Sequence, residues 1–315
     1  MIIEKENIFP LQSGQRRIGV FDSGIGGLTV LHELNLLFPN DNFVYIGDTA
    51  RLPYGTKSRE TVIKYSQALS CSLLEFDVDA VVVACNTAST HALEAVSHLA
   101  AGLPVVGMID PAAIAAVSTT KNNHVGVIAT SGTIHSGAYS QALQRLSPQI
   151  RVSPASCQML VALAEEGWTH FSDDIARSIL LRYLDPLFDC EGAPDTLILG
   201  CTHFPVFSDI IRDILGGEVC LINSGAVAAK SLYAAIGGSA YQGPARPVSQ
   251  RINFFATDDT ARFARNAIRF FDQQLDPAQV SLIDVSYFAA SEERARQAMS
   301  RRQKPSGQSS ASTAA

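Results

Sequence analysis

Seven short apolar runs recur along the chain, at residues 18–21, 42–46, 80–84, 105–108, 124–129, 196–199 and 219–222. Stretches of helical period separate them, among them 58–75, 88–100 and 173–188. Apolar runs this short and this continuous fit strands buried on both faces. Strand, helix and strand in repetition build a parallel sheet with helices on both of its faces. The fold class expected from this pattern is α/β.

The pattern also repeats on a longer scale. IGVFDSGIGG, which starts at Ile18, resembles VGVIATSGTI, which starts at Val125. Each is a strand that ends in Ser-Gly, at Ser23-Gly24 and Ser131-Gly132. DAVVVACNTAST, from Asp79, resembles DTLILGCTHFP, from Asp195. Each of these is an acidic residue, an apolar strand, a small residue, then Cys and a polar residue. Two similar parallel-sheet α/β domains are expected, related by a pseudo-two-fold axis and facing each other across a cleft. The second interrupts the first. Residues 17–107 and 224–299 form the discontinuous first domain, and 108–223 form the second. A late strand and turn near 253–259 returns the chain to the first domain. Residues 1–16 read as a flexible extension, and the low-complexity stretch 300–315 as a disordered tail.

Composition narrows the function. The chain has 315 residues, is 47% hydrophobic and carries a formal charge of −6, so it can bury a large core and argues against nucleic acid as a partner. No run of about twenty apolar residues predicts a membrane span, and the N-terminus has no signal-peptide pattern. A cytoplasmic location is expected. The six cysteines form no CxxC pair, so no metal site is expected, and in a reducing compartment they are free thiols. Most free cysteines are small core residues; Cys71 and Cys220 fit that description.

Cys85 and Cys201 do not. Both follow their apolar runs, and Asn86-Thr87 and Thr202-His203 come next. Such polar side chains need hydrogen-bond partners in a core, whereas ligands in open α/β sheets bind beyond the carboxyl ends of strands. If the two units face each other, the thiols enter one cleft from opposite sides. Asp22, before Ser23-Gly24, fits either a catalytic carboxylate or a helix cap. The glycines of DSGIGGLTV read as a tight turn into a helix, because neither GxGxxG nor a P-loop lysine is present. In GDTARLPYGTKS, Tyr54 and Gly55 sit in a shaped loop whose amides could receive a carboxylate. Arg51 and Lys57 read as solvated charges there, and Glu165–Gly167 as a solvated helix end with a glycine cap.

A pair of opposed thiols suits inversion at carbon. One thiolate removes a proton while the other thiol donates one to the opposite face, with no cofactor. An ordinary thiol pKa near 8.5 leaves both forms within reach of neutral pH.

The blocks FDSGIGGLTV, GDTARLPYG, VVACNTAS, GVIATSGTI and GCTHFP resemble, in this order, those of the glutamate racemase family. The resemblance covers about residues 17–290. It implies cofactor-independent interconversion of L- and D-glutamate for peptidoglycan synthesis, with Cys85 and Cys201 as the acid/base pair. It implies that Asp22 and His203 assist them and contact the substrate. Ser23, Tyr54, Gly55, Asn86, Thr87 and Thr202 match the remaining substrate contacts. A homodimer is compatible with the same reading. The family's VDSG reads INSG here, and no role is assigned to Asn223. Two alternatives stay open: racemisation of another acidic amino acid such as aspartate, and a non-catalytic amino-acid-binding or inhibitor protein on the same fold.

Overall fold

A computed structural model of the chain describes residues 8–241, 243–244 and 246–285. The expected tail at 300–315 and the first seven residues lie outside that range.

The strands are apolar on both faces because both faces are covered. In β1 (Arg17–Asp22), β2 (Asn42–Gly47) and β3 (Ala80–Val83) the side chains alternate between two cores. Ile18, Val20, Phe43, Tyr45, Ala80 and Val82 face one, while Phe21, Val44, Ile46, Val81 and Val83 face the other. Each of the valines, isoleucines and phenylalanines among them, fully buried, contributes about 1.5–3 kcal/mol. Helices α2 (Arg59–Leu74) and α3 (Asn86–Leu99) cover the second face. Helices α1 (Leu28–Leu37), α10 (Ser224–Ile236) and α11 (Thr260–Phe271) cover the first.

Two parallel sheets result. The first has the order β10-β9-β2-β1-β3-β4, with β4 at Val105–Val106, β9 at Ile252–Ala256 and β10 at Val280–Leu282. The second has the order β6-β5-β7-β8. Its strands are β5 (His124–Ala129), β6 (Arg151–Ser156), β7 (Thr196–Gly200) and β8 (Cys220–Asn223). The inner order β2-β1-β3-β4 is therefore the same as β6-β5-β7-β8, which makes β1 equivalent to β5 and β3 equivalent to β7. Helices α4 (Ile109–Thr119), α5 (Ser131–His135) and α6 (Ala138–Leu146) follow β4 and β5. Helices α7 (Met159–Glu166), α8 (Asp174–Phe188) and α9 (Ser208–Leu215) complete the second layer. One apolar cluster runs from Val20 and Tyr45 of the first sheet to Leu197 and Leu199 of the second.

Three local findings differ from expectation. Residues 8–16, read as flexible, are tied to the body. Arg16 pairs with Asp41 at 2.7 Å and donates to Ile236 O, and Phe9 O accepts from Arg17. Cys220 is exposed, because it opens β8 at the surface instead of lying within the core. Arg51 is not a free surface charge. It bonds Asp48 at 2.9 Å and stacks 4.4 Å above the Tyr65 ring. Among the described residues no helix is long and apolar enough to cross a membrane.

Candidate active site

The carboxyl ends of β1, β3, β5 and β7 meet at one cleft. Asp22 ends β1, Cys85 follows β3 by two residues, Thr130 follows β5 and Cys201 follows β7. Of the residues expected from sequence, Ser23, Tyr54, Gly55, Cys85, Asn86, Thr87, Cys201, Thr202 and His203 line one cavity. Its lining contains no Arg or Lys. Asp22 lies just beneath the lining, fully buried.

Cys85 is the N-cap of α3, and its sulfur accepts from Ala88 N at 3.5 Å. Burial and the charge of Asp22 push its thiol up to about 12, while hydrogen bonds from Ser23 and Ala88 pull the other way. Cys85 therefore rests as a thiol. Asp22 accepts from Gly24 N and Gly27 N, both at 3.0 Å, so it holds the turn that leads into α1. Its second oxygen, Oδ1, is buried without a partner. Burial raises its carboxyl above the usual range, against the opposing charge of His203 and those backbone bonds. Asp22 thus closes the turn before α1 with one oxygen and leaves the other without a partner.

The opposite wall is built from different groups. Cys201 Sγ lies 3.8 Å from His203 Nδ1. His203 Nε2 lies 3.3 Å from Glu165 Oε1, an ionic contact in which the N–H is turned off the line of a good hydrogen bond. Burial pushes the His203 imidazole down, but the Cys201 sulfur and the Glu165 carboxylate outweigh it and hold it up at about 10. Burial pushes Glu165 up; the imidazole and Arg262 more than offset that and leave it below the usual carboxylate range. His203 is therefore an imidazolium at neutral pH, placed to donate to the Cys201 sulfur.

Polar side chains fix the remaining walls. Tyr54 donates to Asp48 at 2.5 Å, and Tyr139 donates to Asn86 Oδ1 at 2.6 Å. Asn86 Nδ2 faces the Ser224 hydroxyl at 3.4 Å. Thr87, Thr130 and Thr133 form a triangle of hydroxyls with sides of 3.0–3.1 Å across the two layers. Thr29 Oγ1 donates to Thr202 O at 2.8 Å, again between layers. Asn223 caps α10 by accepting from Gly225 N and Ala226 N, and its amide donates to Glu33 at 3.2 Å. Among the described residues no group of three His, Cys, Asp or Glu side chains is placed to hold a metal ion.

Sequence reasoning missed several of these groups. Thr130 carries a signal, since the internal repeat aligns it with Asp22. Glu165 was read as a solvated helix end. Gly167 does cap α7 with a φ of +82°, but Glu165 turns inward to His203. The glycines of GIGG form the expected tight turn into α1, where a Cβ on Gly27 would lie 2.4 Å from Asp22 Cβ, and Gly26 has a further use. None of Gly24, Gly26 and Gly27 has a positive φ. A Cβ on Gly26 would lie 2.4 Å from His203 Nδ1 and 2.6 Å from Thr202 Oγ1. Gly26 lets the first layer touch the second at His203. Gly26→Ala is expected to lower turnover by about tenfold to a hundredfold while the far-ultraviolet circular dichroism stays unchanged. Steady-state racemisation with normal kinetics would show that the histidine moves aside at no cost.

The comparisons with known proteins agree with this geometry. The Asp/Glu/hydantoin racemase family model matches residues 32–232. A glutamate racemase of Geobacter metallireducens is 43% identical over 270 residues, covering 85% of this chain and 97% of that one. The glutamate racemase of Francisella tularensis, solved with D-glutamate, superposes with a TM-score of 0.77 at 33% identity, over 87% of this chain and 99% of that chain. The Escherichia coli enzyme, solved with L-glutamate and the activator UDP-MurNAc-Ala, has a TM-score of 0.68 at 28% identity, over 85% and 98%. Sequence and fold agree over most of its length, and the chain belongs to the Asp/Glu/hydantoin racemase family.

Proposed function

We propose that this racemase interconverts L- and D-glutamate by proton transfer at Cα between two thiols, Cys85 and Cys201. The observation that carries the reading is the placement of both thiols. They are buried at the ends of the equivalent strands β3 and β7 and line the same cleft. One sulfur, as thiolate, takes the Cα proton and leaves a carbanion. The opposite thiol then protonates the other face and becomes the thiolate. The roles exchange with the hand of the substrate. Asp22 serves Cys85, and His203 with Glu165 serves Cys201. Ser23, Tyr54, Gly55, Asn86, Thr87 and Thr202 would hold the two carboxylates and the ammonium group with hydroxyls and amides. The lining has no Arg or Lys, so carboxylate binding rests largely on neutral donors, with the His203 imidazolium as the one cation at the wall.

The matching relatives act on glutamate, which is the reason to prefer it over aspartate. The same reading makes the protein a cytoplasmic source of D-glutamate for peptidoglycan and is compatible with a homodimer. It also takes 17–107 with 224–299 as one domain and 108–223 as the other.

A circular-dichroism assay with no added cofactor tests the activity. L- and D-glutamate should both racemise, and aspartate should not. Run in deuterated water to low conversion, the product enantiomer should carry solvent deuterium at Cα from the first turnover. Residual substrate should stay protiated. Early product that keeps the substrate's own proton, in either direction, would mean that one group serves both faces.

A further inference from the structure

The part of α11 that faces α7 carries side chains that the two-thiol chemistry has not yet used. Arg269, in the last turn of α11, donates from Nη1 to Glu165 O at 2.7 Å. That carbonyl belongs to the last turn of α7, where helical carbonyls have no partner within the helix. A charged donor on such a carbonyl forms one of the stronger hydrogen bonds, and it also suits the negative end of the helix dipole. Gly167 makes room for it: a Cβ there would lie 2.4 Å from Arg269 Cζ. Two turns earlier on the same face of α11, Arg262 Nη2 lies 3.6 Å from Glu165 Oε2. This second contact is long and half exposed, so it contributes little by itself. Beside Arg269, the Phe270 ring meets the His203 imidazole edge to face, with centroids 5.3 Å apart. Glu165 is thus held at its carbonyl by Arg269, and its carboxylate lies against Arg262 and His203.

We infer that Arg269 is a positioning residue for proton transfer at Cys201, acting through the Glu165 main chain to keep the Glu165 carboxylate against His203. The two thiols then differ in their support. Cys85 depends on Asp22, which belongs to its own layer. Cys201 depends on an imidazolium whose counter-charge is set by a helix of the other layer. No comparable contact from α11 reaches Cys85 among the hydrogen bonds and ion pairs described.

The inference rests on the proposed glutamate racemisation, and one experiment separates the two. Wild type, Arg269→Met and Arg269→Lys are assayed with L- and D-glutamate, each protiated or deuterated at Cα. Thermal unfolding is followed in parallel. For Arg269→Met, kcat/KM should fall by about tenfold to a hundredfold. The fall must be equal in both directions, because the enantiomers have equal free energy. The isotope effect on kcat/KM should not be equal. It should rise for the enantiomer whose deuteron Cys201 removes, since that step has become slower. It should fall for the other, where delivery of a proton from Cys201 now limits the rate and the deuteron has already left. Arg269→Lys, which keeps one charged donor, should lie between wild type and Arg269→Met. Isotope effects that stay at their wild-type values for both enantiomers, whether the rate is unchanged or falls in step with the folded fraction, overturn the inference and leave the proposed function standing. A wild-type protein that racemises neither enantiomer overturns both.

Discussion

Replacing either Cys85 or Cys201 by serine is expected to lower racemisation of glutamate by about 10²–10⁴-fold, the usual contribution of a positioned acid or base. A serine hydroxyl is isosteric enough to fill the site but far too weak an acid to exchange a proton with Cα. The two losses should be of the same order, since each direction of reaction needs one sulfur to abstract and the other to deliver. Two further cysteines serve as controls. Cys71 is buried in α2, so Cys71→Ser places a hydroxyl in an apolar core and should cost about 1–3 kcal/mol of stability with turnover per folded molecule unchanged. Cys220 is exposed, so Cys220→Ser should alter neither. Initial rates at saturating substrate, read beside thermal unfolding, separate the three behaviours. Near-normal turnover in Cys85→Ser or Cys201→Ser would remove that cysteine from the mechanism.

His203→Asn should cost on the order of 10²-fold in turnover. It should also change how stability depends on pH. The imidazole is held up at about 10 in the folded protein, against about 6.5 in an unfolded chain. A group whose folded pKa is raised adds stability that is fully present below about pH 6.5 and is lost as pH rises toward 10. Wild type should therefore lose more stability than His203→Asn between pH 7 and pH 9, in urea unfolding at fixed ionic strength. Parallel curves would mean that His203 is neutral in the fold, and Cys201 would then have no imidazolium beside it.

The interior strands were legible because they are buried on both faces. Residues 18–21, 80–84 and 196–199 are continuous apolar runs, and they became β1, β3 and β7. The strands that escaped notice have the opposite character. β6 reads RVSPAS and is half exposed along its length, since it forms the edge of the second sheet. Its Pro154 and serines look like a loop. β10 has three residues, two of them exposed. Cys85 and Cys201 stood out because each follows an apolar run with polar neighbours that a core does not need. Asn223 went without a role because its partner, Glu33, lies 190 positions away. Glu165 was invisible for a related reason. Two adjacent glutamates before a glycine describe an ordinary helix end, and nothing local says which of them turns toward a histidine 38 residues later. Gly26 was read as a turn residue because sequence reveals a missing side chain but not the atom that takes its place. For Asn223 and Gly26 the deciding contact joins two layers, and for Glu165 it joins two elements of one layer far apart in sequence.

The order of strands in the first sheet has a consequence for how the protein is made. The second sheet uses four consecutive strands and is complete once β8 has been synthesised. The first sheet is not, because the outer edge of β2 pairs with β9, from Phe43↔Ile252 to Gly47↔Ala256. At about 5–20 residues per second, a ribosome needs roughly 10–40 s to travel from one strand to the other. Through that interval β2 offers a row of unpaired amides and carbonyls, the kind of edge that recruits strands from other chains. The half encoded second can close first, and the half encoded first must wait, with one edge open, until β9 has been made.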